Sequence, residues 1–370
     1  MQRIYLDYAA TTPLAQEVLA KMLPYFTEYY ENPSALYSQK LKYELELARS
    51  QVAAAISAKP AEIIFTSGGT EANNLAVLGT ARQFTGAHFI TTQIEHDSVL
   101  RAFSQLEKEG HRVSYVPVDG DGRVDPADIE KMIEPETKLI SVMAANNEIG
   151  TIQDIRTISA IAREKGILFH TDAVQAIGQV EINAGQADFI SLSAHKLYGP
   201  KGVGALYVRK GVRLQPLLVG GHQESGRRAG TENMAGIIGF GAAIEQYIKT
   251  SQTRLAHFQN LGSQIKESLA EVEGLHFNGH ATQRLAGLYH LSIADVSTEA
   301  LLTMLDLAGI SISAGSACQA GSYQISHVMK AIGDGKNNAH LRISLGKDTS
   351  QEEIKIFLEK LKSLIDKLRT

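Results

Sequence analysis

Cys318 is the only cysteine in the 370-residue chain, and it lies in Ser313-Ala314-Gly315-Ser316-Ala317-Cys318-Gln319-Ala320-Gly321. Structural cysteines usually pack among aliphatic and aromatic side chains, and this stretch offers almost nothing to pack against. A lone thiol forms no internal disulfide and no cysteine-based metal site, so no metal is expected. Two readings stay open from these residues alone: a chance free thiol, or a nucleophile carried on a glycine-flanked loop.

Three further groups could do chemistry together. Ser67-Gly68-Gly69-Thr70-Glu71 follows an apolar run and leads into a helical pattern. Glycines there let backbone N–H groups approach an anion, and a helix N-terminus adds a favourable dipole. It is not a dinucleotide fingerprint, because Gly-x-Gly-x-x-Gly is absent. Asp172 and Gln175 follow Ile167-Leu168-Phe169-His170-Thr171, and Lys196 follows Ile190-Ser191-Leu192-Ser193-Ala194-His195. Singly, the first reads equally as an anion site or a plain turn, Asp172 as a helix cap, and Lys196 as a surface lysine, although the glycines and proline around it argue for a fixed, crowded turn. Together they match the needs of pyridoxal 5′-phosphate (PLP): a lysine for the Schiff base, a carboxylate at the pyridine nitrogen and an anion cradle. Lys196, Asp172 and Gly69-Thr70 fill those roles. Gln175 could bond the phenolic oxygen, and His96 could lie against the ring.

These residues need a scaffold that brings strand ends together. Strands are predicted over 62–66, 88–92, 112–118, 139–144, 167–171, 189–193 and 203–208, with helices such as 71–84 and 155–165 between them. Such alternation predicts an α/β fold with a largely parallel sheet covered on both faces. Ligands bind such sheets at the carboxyl ends of the strands. The tail reads differently: a long helix over 254–272, a strand over 285–293, a helix over 299–307, a strand over 341–345 and a last helix opened by Ser350 with Glu353 as a capping box. This predicts a second, α+β domain, with the boundary near Thr250.

Composition is that of a soluble globular protein, 44% hydrophobic and 21% charged, with a formal net charge of -4. No basic excess exists for general nucleic-acid binding. No apolar run approaches the ~20 residues that span a bilayer. The first residues do not read as a signal peptide, and a reducing cytosol is the expected compartment.

The chain resembles the cysteine desulfurases of the NifS/IscS group, within the class V aminotransferase family of fold-type I PLP enzymes. The matching pieces run nearly end to end: Tyr5-Leu6-Asp7-Tyr8-Ala9-Ala10-Thr11-Thr12-Pro13, Asn32-Pro33-Ser34, Thr66 to Glu71, Glu95-His96, Asn146 to Gly150 and Asp172 to Gln175. Ser193 to Gly202, Arg227 to Asn233, the cysteine loop with Ser326-His327-Val328, and Leu341 to Gly346 complete the set. The family's histidine near position 37 is Tyr37 here, and the loop from Ala314 through Ser326 has the longer form of the group.

The resemblance implies a large domain with a mostly parallel seven-stranded sheet over 15–250. A smaller α+β domain from 1–14 and 251–370 would carry the cysteine loop. It implies Lys196 as the Schiff-base lysine, Cys318 as the sulfur acceptor, and His96 as a ring-stacking residue that shuttles protons. Asp172 and Gln175 would contact the ring, and Asn147 would place cofactor and substrate. Gly69, Thr70, Ser193 and His195 would hold the phosphate, with Thr231 reaching the phosphate of the neighbouring subunit in a homodimer. Arg342 would pair with the substrate carboxylate, with Asn32 close by. L-cysteine would become L-alanine, its sulfur passing through a Cys318 persulfide to an acceptor protein, an iron–sulfur scaffold or a tRNA-thiolating enzyme. The cofactor residues do not by themselves separate this from an aminotransferase or a selenocysteine lyase. A plain aminotransferase needs no thiol, and a non-catalytic sulfur-relay scaffold needs no complete catalytic set.

Overall fold

The structure, a computed structural model, describes residues 3–315, 325–334 and 338–369. Cys318 and Gly321 lie outside the described residues.

The apolar runs that alternate with helical patterns become strands buried on both faces. In β2 (Ile63–Thr66), Ile63 and Phe65 enter one core cluster and Ile64 the other. Preceded by the two-residue β1 (Ile4–Tyr5), the large-sheet strands continue as β3 (His88–Thr92), β4 (Arg112–Val116), β5 (Thr137–Ser141), β6 (Leu168–Asp172), β7 (Phe189–Ser193) and β8 (Gly204–Val208). Seven strands pair in the order β2-β8-β7-β6-β5-β3-β4. The sheet is parallel except at β8, which runs antiparallel to both its neighbours. One face packs on helices Gly69–Ala81 and Asp97–Lys108, the other on Gln39–Ala54, Ile155–Glu164 and Met234–Lys249.

Several boundaries move from the sequence expectation. The 71–84 helix starts at Gly69 and stops at Ala81, because Gly68 takes the N-cap position and Gly69 fits a close approach. The strand expected over 139–144 leaves the sheet at Ser141. The chain stays extended beyond it, since Val142 and Ala144 still donate to the His170 and Asp172 carbonyls at 3.0 and 2.9 Å.

After Lys249 the architecture changes. The strands β9 (Leu275–Asn278), β10 (Leu288–Ala294) and β12 (Asn338–Ser344) form an antiparallel sheet ordered β12-β10-β9, while β11 (Ile310–Ser311) pairs in parallel with β1. Helices Ser251–Leu269, Thr298–Leu307 and Gln351–Arg369 cover one face of the three-stranded sheet and close a core of its own around Leu291, Leu341 and Phe357. The last helix begins as expected: Glu353 N–H donates to Ser350 Oγ at 3.1 Å, and Ser350 N–H donates to Glu353 Oε2 at 2.7 Å. The opposite face of this sheet is polar. Asn278, His290 and Arg342 stand directly across from one another on its three strands. Among the described residues no helix is long and apolar enough to cross a membrane.

Candidate active site

The carboxyl ends of β3, β5, β6 and β7 open on one crevice, and most of the expected residues sit there. Lys196 lies in a single 3-10 turn, Ala194–Lys196, directly after β7. That turn is crowded: a Cβ on Gly199 would meet the Ala194 carbonyl oxygen at 2.8 Å, and Tyr198 adopts a left-handed φ of 61°. Such strain at a non-glycine residue persists only where the surroundings over-determine it. Here Thr12 donates its hydroxyl to the His195 carbonyl and accepts from Tyr198 N–H, both at 2.8 Å. Lys196 Nζ donates to the Ala9 and Ala10 carbonyls at 2.5 and 2.8 Å. Burial first, and the Arg342 guanidinium second, push its ammonium down to about 8, opposed by Asp7 and Asp172. A lysine that loses its proton near neutrality serves as nucleophile and base.

Asp172 ends β6, buried, with Oδ1 accepting from Val174 N–H at 2.9 Å and Oδ2 from Asn73 Nδ2 at 2.7 Å. Each carboxylate oxygen keeps a further acceptor site for a pyridinium N–H. Behind it, the fully buried His170 is pushed down to about 4 by desolvation, so no second cation competes for the carboxylate. The same Asn73 amide donates to Ser98 Oγ at 2.9 Å, and Ser98 Oγ lies 2.8 Å from His96 Nδ1. Ser98 N–H also donates to Nδ1 at 3.1 Å. Nδ1 is thereby an acceptor, and the neutral ring carries its proton on Nε2.

The candidate anion cradle is built from two elements. The first N–H groups of helix Gly69–Ala81 have no partner within the helix. Ser193, at the end of β7, is 1% exposed, and its hydroxyl is buried without a hydrogen-bond partner among the described residues. A Cβ on Gly69 would sit 3.7 Å from Ser193 Cβ and 2.8 Å from Val174 Cγ2, so only glycine fits there. A buried hydroxyl left unsatisfied is costly, and beside a free helix N-terminus it suits a phosphate. His195 is kept neutral near 4, by burial and then by Lys196 and Lys201; its Nδ1 lies 3.1 Å from Thr11 Oγ1. Gln175 Nε2 donates to the Ala9 carbonyl at 2.9 Å.

Arg342, on β12, reaches this crevice from the other sheet. Its Nη1 donates to the Asn147 carbonyl at 3.0 Å and its Nη2 to Asp7 Oδ1 at 2.8 Å, while its buried Nε has no hydrogen-bond partner among the described residues. Two expected residues stand apart. Asn32 is exposed and spends its side-chain oxygen on Ser34 N–H at 2.8 Å. Thr231 is exposed as well, and neither bonds to the other site residues within the described chain. Around the stretch that holds Cys318, Ser313 donates to Asp7 Oδ1 at 3.0 Å, and His327 Nε2 lies 2.9 Å from the Glu95 carbonyl.

A family model described as aminotransferase class-V matches residues 4–357. A protein named cysteine desulfurase IscS from Dictyoglomus turgidum is 46% identical over 378 aligned positions, covering 100% of this chain and 96% of the relative. The chain belongs to the cysteine desulfurases of the class-V aminotransferase family. Members of this family are PLP-dependent, and the donor set described above fits that cofactor. A solved NifS-like protein superposes on this desulfurase with a TM-score of 0.93 at 35% identity, covering 99% of this chain and 100% of its own. A structure described as SspA in complex with cysteine gives 0.81 at 36% identity, covering 92% of this chain and 98% of that one.

Sequence reasoning missed Asn73, Ser98 and Glu95 as parts of the site. Glu95 is fully buried at the end of the β3 turn; Oε1 accepts from Thr92 Oγ1 and Met143 N–H, each at 2.8 Å. Its place in the Glu95-His96 pair was the one available signal.

Proposed function

We propose that this desulfurase takes L-cysteine as substrate, releases L-alanine and moves the sulfur first to Cys318 and then to an acceptor protein. The observation that carries the reading is the convergence of Lys196 and Arg342, from different sheets, on the segment Asp7–Ala10. An amine-binding lysine and a carboxylate-binding arginine side by side suit an α-amino acid. The cysteine complex of a relative supports the same substrate.

Bound PLP, held by Lys196, Asp172 and the cradle of Gly69, Thr70 and Ser193, supplies an electron sink for the substrate α-carbon. Lys196, released as an amine near neutral pH, takes the α-proton. Asp172 would accept a hydrogen bond from the ring N–H and hold that proton in place. Arg342 grips the carboxylate with its remaining N–H donors beside Asn147, and Asn32, which stands apart in one chain, is assigned to the same carboxylate. His96, with Nδ1 committed to Ser98, offers the proton on Nε2 to a leaving or departing group. In the transfer itself the substrate C–S bond breaks and an S–S bond forms at the Cys318 thiolate. Cysteine plus thiol gives alanine plus persulfide, with no outside oxidant. Thr231, exposed in one chain, is assigned to the phosphate of a partner subunit in a homodimer.

The two core clusters support a large domain over 15–250 and a small one from 1–14 and 251–370, with Ala9, Leu285 and Leu288 packing across into the large one. A cytoplasmic setting and delivery to iron–sulfur assembly or tRNA thiolation complete the proposal. The test is to incubate the PLP-loaded protein with L-cysteine, L-selenocysteine, or an amino and keto acid pair. Stoichiometric alanine and persulfide from cysteine are expected; keto-acid transamination without persulfide would overturn the reading.

A further inference from the structure

The segment Tyr5–Thr12 acts on the site through both its backbone and its side chains. It crosses the floor of the crevice and touches both halves of the site. Its Ala9 and Ala10 carbonyls meet Lys196, its Thr12 holds the His195 carbonyl, and its Asp7 meets Arg342. Tyr5 pins the segment by donating to the Asp7 and Thr11 carbonyls, both at 3.0 Å.

Asp7 is the one carboxylate paired with Arg342 among the described residues. The Arg342 side chain is 4% exposed and the Asp7 side chain 19%. Ser313 donates to the same Oδ1 at 3.0 Å, so the carboxylate is fixed from a second direction. Of the five N–H donors of Arg342, Asp7 takes one and the Asn147 carbonyl another. The Nε–H is among the three that remain.

We propose that Asp7 is a positioning and specificity residue: a built-in counter-ion that aims Arg342 and sets how strongly it attracts the carboxylate of an incoming amino acid. The inference rests on Arg342 as the carboxylate anchor. An arginine without a counter-ion in a sheltered crevice attracts any small anion. Paired with Asp7, it holds a nearly neutral site, and binding then depends on directed hydrogen bonds instead of bare charge. The same carboxylate acts on Lys196. The charged and titratable groups facing that lysine are Arg342 from β12, Asp172 from β6, His195 from its own turn and Asp7 from the N-terminal segment. Arg342 disfavours its cation, while Asp7 and Asp172 favour it.

Asp7→Asn keeps an acceptor for Arg342 and Ser313 and removes only the charge. The probe is 3-mercaptopropionate, which has the carboxylate and thiol of cysteine but no amine, titrated into the holoenzyme by calorimetry. Asp7→Asn is expected to tighten its binding by about fivefold, the upper range for a partly exposed pair. It is also expected to move the pH midpoint of the visible cofactor band to lower pH. Asp7→Ser, a second charge-free variant, shifts the midpoint the same way, whereas Asp7→Glu leaves it in place. Wild-type affinity and midpoint in the charge-free variants, or an Asp7→Glu that moves like them, would overturn the proposal. Arg342→Gln separates the two levels. Its retention of probe binding overturns the carboxylate anchor and this inference with it. Its loss of binding, beside an unaltered Asp7→Asn, overturns the role of Asp7 alone.

Discussion

Asn73 donates one side-chain amide to both Asp172 Oδ2, at 2.7 Å, and Ser98 Oγ, at 2.9 Å, with Ser98 Oγ in turn 2.8 Å from His96 Nδ1. The two residues assigned to the cofactor ring, one for its nitrogen and one for its face, are thus tied through a single buried asparagine. Asn73 is 1% exposed, so neither bond is replaced by solvent when it is lost.

Asn73→Ala should therefore weaken cofactor binding without touching the cofactor. A hydrogen bond to a charged group is worth about 1.5–3 kcal/mol, which sets the expected loss of PLP affinity at tenfold or more. Fluorescence titration of the apoprotein measures it. Wild-type affinity in this variant would show that Val174 N–H alone holds Asp172 in place.

Lys196→Ala should give a protein that binds PLP weakly and shows no visible band from a lysine-bound cofactor. The cradle of Gly69, Thr70 and Ser193 survives this change, so phosphate-anchored PLP is still expected in dialysis. A persistent lysine-type band in the PLP-loaded variant would move the role to another amine.

Cys318→Ala should bind PLP and cysteine normally and form no protein persulfide. Mass spectrometry of tryptic peptides after incubation with cysteine reads this directly. A persulfide has no second cysteine to occupy in this chain, so any mapped to the variant would contradict the assignment.

Lys196 and Asp172 are legible in the sequence because each closely follows an apolar run that only a doubly buried strand explains. Fold class follows from the same runs. The reversed direction of β8 does not, since its residues are as apolar as those of the strands on either side and burial is alike in both directions. β9 alternates Leu275 and Phe277 with His276 and Asn278 over only four residues, too short for its period to stand out. Asn73 and Ser98 sit within helical stretches, where such residues read as solvent-facing positions. Only the packing of helix Gly69–Ala81 against Asp97–Lys108 turns them inward, and that contact is tertiary. Asp7 belongs to a recognisable motif, yet its partner lies 335 positions away.

Glu95 gives a stability prediction with a definite sign. Its carboxyl is fully buried; Oε1 accepts from Thr92 and Met143, while Oε2 has no hydrogen-bond partner among the described residues. Burial, the largest influence, pushes the acid up from 4.5 to about 8. The folded protein then keeps this proton up to about pH 8, while the unfolded chain releases it near 4.5. Between those values the folded state binds more protons, so stability falls as pH rises through the window. Glu95→Gln keeps the oxygen acceptor and abolishes the titration. Against wild type, its unfolding temperature should gain steadily from pH 5 to pH 8, a differential on the order of a few kcal/mol. Glu95→Ala removes the acceptor from Thr92 and Met143 as well, and should lose about 2 kcal/mol even at pH 5. Parallel unfolding profiles for wild type and Glu95→Gln across this range would mean that the carboxyl is already ionised at pH 5. A compensating cation would then have to lie beside Oε2, the one oxygen of this side chain with no hydrogen-bond partner among the described residues.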